Sequence, residues 1–128
     1  MVKRILLINP LVREWSKPNC LPLGLLCIAS ACRKSGWEVR VLDLNAERRS
    51  DDELLNDIQD FEPSIVGITA IITQYDEVKK ISYMASLVTS VKYIVCGGPI
   101  ASSVPDLLFI KTVVVLAPYY GRLFVFRI

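Results

Sequence analysis

The sequence predicts an α/β domain: a sheet of five parallel strands with helices on both faces. Two observations carry that prediction. Short apolar runs alternate with segments of helical period, at a spacing of about 25–30 residues, as βαβ crossovers require. The chain of 128 residues is also 52% hydrophobic and 22% charged, enough for one packed core and too apolar for wholesale disorder.

Each element has its own signal. Val2–Ile8 is a short apolar run closed by Asn9-Pro10, which reads as a strand buried on both faces rather than a signal peptide. A loop rich in turn formers follows from Asn9 to Leu21. Pro22 opens a helix to about Ser35, with Arg33-Lys34 in its last turn and Gly36 in the stop position. Trp37–Leu42 alternates as a second strand ending at Asp43, which reads as a cap for the next loop. Ser50-Asp51-Asp52-Glu53 is a capping box, and Leu54, Leu55, Ile58 and Phe61 form one apolar face before Pro63 stops the helix.

Ser64–Ala70 is the third strand, running on into Ile71-Ile72-Thr73. Val78, Ile81, Ala85 and Val88 keep helical spacing across residues 75–89. Residues 92–96 make a fourth strand closed by Gly97-Gly98-Pro99, 100–110 one short helix, and 112–116 a fifth strand. The remainder, 117–128, has no helical face and ends in an aromatic stretch. It reads either as a truncated, poorly anchored terminus or as an added edge strand.

Composition excludes several functions. The 15 Lys+Arg against 13 Asp+Glu leave only +2, too little for a nucleic-acid surface. There is no histidine, which removes Ser-His-Asp and Cys-His catalysis and histidine-containing metal sites. Cys20, Cys27, Cys32 and Cys96 match neither a CxxC nor the CxxxCxxC of radical enzymes, and Cys27 and Cys32 read as buried free thiols in a reducing, cytoplasmic compartment. The longest uncharged stretch, from Pro18 to Cys32, is shorter than the roughly 20 residues of a membrane span and contains Pro22 and Gly24, so no membrane partner is expected.

In an open α/β sheet, ligands bind beyond the carboxyl ends of the strands. With strand order 2-1-3-4-5, the Asn9–Leu21, Thr69–Gln74 and Gly97–Ile100 loops form one rim. No GxGxxG follows the first strand, Asn9 and Thr69-Ala70 stand where a phospho-receiver carries carboxylates, and Pro10-Leu11-Val12 is no flavin phosphate loop. Gly97-Gly98 either opens space and N–H donors for a ligand or simply makes a turn of positive φ. Leu23-Gly24 reads as a buried, closely packed helix start.

The combination Leu7-Ile8-Asn9-Pro10, Pro22-Leu23-Gly24-Leu25, Glu38–Asp43, Ile65–Ala70 and Gly97-Gly98-Pro99 resembles the cobalamin-binding domain that precedes the catalytic barrel in many radical S-adenosylmethionine enzymes. The resemblance covers residues 1–116 and sets 117–128 apart as an atypical tail. It implies a three-layer α/β/α, flavodoxin-like domain that buries the corrinoid's nucleotide tail along the carboxyl edge of the sheet. By position, Thr69, Ala70 and Thr73 would line that tail or the corrin edge, and Gly97, Gly98 and Pro99 would make room for the tail. The loop carrying Asn9, Pro10, Leu23 and Gly24 would meet the corrin face. With no histidine, the DxHxxG lower ligand of other cobalamin carriers is impossible, so a base-off cofactor without a histidine ligand is expected.

Two departures stand out. Ala117-Pro118-Tyr119-Tyr120 replaces the family's Gly-Glu-Gly-Glu-like turn, and the iron–sulfur barrel has no counterpart. The resemblance therefore implies a non-catalytic module with a corrinoid partner and a radical S-adenosylmethionine domain in cis or trans. The alternative is a binding-incompetent domain kept for structural or protein-interaction purposes.

Overall fold

The computed structural model describes residues 2–15, 20–109, 114–117 and 122–123. The chain runs β1 (Arg4–Asn9), α1 (Leu23–Lys34), β2 (Glu38–Asp43), α2 (Asp51–Phe61) and β3 (Ile65–Thr69). A single 3-10 turn (Ile72–Gln74) then leads into α3 (Tyr75–Ser86), β4 (Tyr93–Gly97), α4 (Pro99–Ser103), α5 (Pro105–Phe109), β5 (Val114–Ala117) and β6 (Arg122–Leu123).

The sheet order is β2-β1-β3-β4-β5-β6. Four strands, β2, β1, β3 and β4, form its body in continuous parallel register, for example Leu7 opposite both Val41 and Gly67, and Ile68 opposite Cys96. The expected five-stranded sheet needs correcting at its edge. β5 joins β4 in parallel at only two positions, and β6 adds a sixth, antiparallel strand through Leu116–Leu123 and Ala117–Arg122. The residues at 118–121 and 124–128, and with them most of the expected tail, lie outside the described residues.

Alternation along β1 divides the core. Leu6 and Ile8 point to the larger cluster with Leu54 and Ile58 of α2, Val78 and Ile81 of α3, and Ile100 and Ala101 of α4. Ile5 and Leu7 point the other way, to a smaller cluster with Leu25 and Ala29 of α1 and Val39 of β2. The α/β/α layering is thus the expected flavodoxin-like one, with α1 facing one side and α2, α3 and α4 the other.

The local signals explain the element ends. The Ser50 hydroxyl accepts from the Glu53 amide and the Glu53 carboxylate accepts from the Ser50 amide, and this pairing holds Glu53 below the usual carboxylate range. Pro63 follows Glu62, which closes α2 at φ 50 in the left-handed region. Three expectations are corrected. β3 stops at Thr69 rather than running through 71–73, because the chain turns into the 3-10 segment. α3 ends at Ser86, not at 89. The single helix expected over 100–110 is two, broken at Val104, since Pro105 disfavours helical backbone in the residue before it.

Candidate functional site

The carboxyl ends of β1, β3 and β4 are neighbours, so the three expected loops do meet on one rim. Thr69 pairs in register with Gly97, and the Ala70 amide donates to the Gly97 carbonyl at 3.3 Å. The Ile100 amide donates to the Ala70 carbonyl at 3.0 Å, which locks the glycine turn onto the end of β3.

Gly98 lies at φ 83, ψ −171, a region open essentially to glycine alone. A β-carbon there would sit 2.8 Å from Thr69 Oγ1, 3.1 Å from the Ala70 carbonyl oxygen and 3.2 Å from the Ala70 nitrogen. Of the two readings of the glycine pair, the turn of positive φ is what the backbone shows. The absent side chain gives room first to the Thr69-Ala70 backbone, and the nearby Ile100 amide is taken by the Ala70 carbonyl.

The other candidates separate into contact positions and supports. Pro10 and Ala70 are buried, so they shape the rim from beneath. Thr69, Gly97 and Gly98 are half-buried at its floor, and Thr73 and Pro99 are exposed beside it. Leu23 and Gly24 are exposed as well, and nothing lies within 4 Å of a β-carbon built on Gly24, so the expected buried, close-packed helix start is not found. Only Leu25 and Ala29 of α1 are buried against the sheet. Cys27 is accordingly exposed rather than buried and Cys32 is half-buried, with its thiol pushed up by burial. Cys96, under the glycine turn, is fully buried, and desolvation pushes its thiol up to about 12.

A hydrogen-bond network beneath the rim was not visible in the sequence. Asn9 Nδ2 donates to Asp43 Oδ1 at 3.0 Å, and the Asn45 amide donates to the same oxygen at 3.1 Å, as the expected Asp43 cap. Asn45 then reaches across: its Nδ2 donates to the Pro10 carbonyl at 3.0 Å and its Oδ1 accepts from the Val12 amide at 2.8 Å. Gln74, only 4% exposed, donates from Nε2 to the Pro10 carbonyl at 2.9 Å and accepts at Oε1 from the Ile71 amide at 2.9 Å. The only sequence signal for this network was the capping geometry of Asp43.

Above that network the rim exposes several apolar side chains beside the charged Arg13 and Glu14 and the hydroxyl of Thr73. Val12, Ile71 and Ile72 are 48%, 42% and 48% exposed, and Trp15, Leu21 and Leu23 are more exposed still. Small residues at Thr69, Ala70, Gly97 and Gly98 keep the floor of the rim low. Among the described residues no cluster of acidic or cysteine side chains could hold a metal ion, and no helix is long and apolar enough to cross a membrane.

The chain matches the family model described as B12 binding domain over residues 11–120. It is 32% identical to cytidylyl-2-hydroxyethylphosphonate methyltransferase of Streptomyces wedmorensis, over 80% of this chain and 23% of that protein. It is 31% identical to an uncharacterized methyltransferase of Pyrococcus horikoshii, over 67% of this chain and 18% of that one. The chain therefore spans less than a quarter of the length of these relatives. Its fold resembles the radical S-adenosylmethionine methyltransferase TsrM from Kitasatospora setae, solved with cobalamin and a 4Fe-4S cluster bound, at a TM-score of 0.70 and 24% identity over 86% of this chain and 21% of TsrM. It also resembles the leucine-binding protein LivK of Thermotoga maritima, at a TM-score of 0.57 and 21% identity over 84% of this chain and 28% of LivK. Likeness in fold is thus shared by proteins of unrelated function, and the family match is what discriminates. The chain belongs to the B12 binding domain family.

Proposed function

We propose that this chain is a cobalamin-binding module that holds the corrinoid base-off, with no histidine ligand, and presents it to a radical S-adenosylmethionine catalytic domain in cis or in trans. The observation that carries the reading is the rim itself: an apolar ledge at Val12, Ile71 and Ile72 over a floor of small residues, within a chain that matches the family from residue 11 to 120. Residues 1–116 form the binding unit, and 117–128 extend it, with Ala117 and Arg122–Leu123 pairing at the edge of the sheet. Four free cysteines suit a reducing, cytoplasmic compartment.

When bound, the corrinoid supplies the cobalt centre for group transfer, and the protein supplies binding and orientation. Thr69 and Thr73 offer hydroxyls to the amide-bearing edge or tail of the corrinoid. Gly97 and Gly98 hold the end of β4 close to Ala70, and with Pro99 they would make room for the tail. Asn9, Pro10, Leu23 and Gly24 would meet the corrin face. The methyltransferase relatives and the cobalamin in TsrM support this reading, and both extend well beyond the length of this chain.

The test is to mix the chain with hydroxocobalamin, desalt it and record the absorption spectrum. Retained corrinoid with a base-off spectrum is expected. A colourless protein fraction would favour the domain retained for structural or interaction purposes.

A further inference from the structure

Resting on the cobalamin reading, we infer that Gln74, together with Asn45, is a positioning residue that clamps the β1 and β3 loops and fixes Val12 and Ile71 as one apolar ledge for the corrin ring. The Pro10 carbonyl accepts two side-chain amide donors, Asn45 Nδ2 from the loop after β2 and Gln74 Nε2 from the turn after β3. A carbonyl oxygen has two lone pairs, so one atom ties three loops together. Gln74 Nε2 also reaches the Leu11 carbonyl at 3.4 Å.

The far ends of the same two amides choose the ledge. Asn45 Oδ1 holds the amide of Val12, and Gln74 Oε1 holds the amide of Ile71. These are two of the exposed apolar residues of the rim, so the clamp fixes the backbone of the residues that would touch the ligand. Its Oε1 caps the start of the 3-10 turn through the Ile71 amide, while its Nε2 leaves that turn and reaches the β1 loop at the Pro10 and Leu11 carbonyls. Both amides are uncharged, so the ledge keeps its geometry across physiological pH.

Gln74→Met keeps the length and removes every hydrogen bond of the side chain. Gln74→Glu keeps the shape: the ionised carboxylate would face the Pro10 and Leu11 carbonyl oxygens, whereas the protonated acid restores one donor and one acceptor. Hydroxocobalamin affinity is measured for the full chain and both variants between pH 5 and 8, after circular dichroism confirms that each is folded. The parent profile, measured in parallel, absorbs any titration of Asp43, the carboxylate of this network, and of the cofactor itself.

Gln74→Met is expected to bind at least about tenfold more weakly at every pH, the scale of a buried group left unpaired. Gln74→Glu should approach the parent as the pH falls. Amide hydrogen exchange on the cofactor-free chains separates the clamp from the function. Gln74→Met should lose protection at Ile71, and Asn45→Ala should lose it at Val12. If the parent itself retains no cobalamin, the functional reading fails, while the exchange pattern still decides the clamp. Unchanged affinity in Gln74→Met, or unchanged Ile71 protection, would overturn the inference.

Discussion

Replacing Gly98 by alanine probes the turn on which the floor of the site is built. Two costs add. The backbone at φ 83, ψ −171 belongs to a region nearly exclusive to glycine, at about 1–3 kcal/mol for any other residue. The new β-carbon would also stand 2.8 Å from Thr69 Oγ1 and 3.1 Å from the Ala70 carbonyl oxygen, an overpacking worth about 1–3 kcal/mol. Relief by moving Ala70 would weaken the two hydrogen bonds that zip the turn to β3. The expected total is about 2–6 kcal/mol, which at a urea m-value of about 2 kcal/mol/M lowers the denaturation midpoint by about 1–3 M. Adding Thr69→Ala removes the closest atom and should recover part of the steric share but none of the backbone share. Gly24→Ala is the control, since nothing lies within 4 Å of its β-carbon. Gly98→Val, the harsher form, should also reduce cobalamin retention, through displacement of the Thr69-Ala70 backbone. A Gly98→Ala midpoint within experimental error of the parent would refute the turn geometry and the floor derived from it.

Further predictions follow from other parts of the molecule. A β-carbon on Gly67 would lie 2.6 Å from Leu7 Cδ2, the rotatable end of a side chain in the neighbouring strand, so Gly67→Ala should cost no more than about 1 kcal/mol, and Leu7→Ala in the same chain should show favourable coupling in a double-mutant cycle. Additive effects would contradict that contact. Cys96 has an ordinary thiol pKa of 9.0 and a folded value of about 12, so the folded chain holds its proton where the unfolded chain has lost it. Stability from this group is complete below pH 9 and declines as pH rises toward 12, by on the order of 1 kcal/mol at pH 10. Urea midpoints of the parent and Cys96→Ala at pH 8 and 10 check this, and an equal alkaline loss in both would remove the thiol as its cause. Since the sequence holds no CxxxCxxC motif and no histidine, anaerobic iron–sulfur reconstitution of this chain should yield no cleavage of S-adenosylmethionine, and cluster-dependent 5′-deoxyadenosine would overturn that expectation.

The architecture was legible because buried parallel strands are written as apolar runs and because the caps are local. Ser50 and Glu53 sit three residues apart and close one helix start without help from the rest of the fold. The break at Val104 was legible in principle, since Pro105 restricts the residue before it. Other features depended on neighbours that a linear reading does not show. The apolar run from Leu23 to Cys32 looked like a buried helix, yet the sheet covers only Leu25 and Ala29, and Leu23, Leu26, Cys27 and Ile28 stay exposed. Asp43 was expected to cap the next loop. It does form that cap, and it also anchors Asn9 across the strand pair. Asn45 and Gln74 look like ordinary surface amides until two crossovers bring them to the same Pro10 carbonyl. Thr69, Ala70, Gly97 and Gly98 were placed together correctly, because strand ends in register are a consequence of topology alone.

The proposed function has this chain bind cobalamin with its nucleotide base off the cobalt. Electron paramagnetic resonance of the complex with cob(II)alamin addresses that coordination directly, because a nitrogen bound to cobalt splits each cobalt line into three. A protein-bound signal without nitrogen splitting is expected, since the sequence contains no histidine to take the place of the displaced base. A bound signal with threefold splitting would show the base still on the metal and contradict the placement of the tail, and a signal identical to free cob(II)alamin would contradict binding itself.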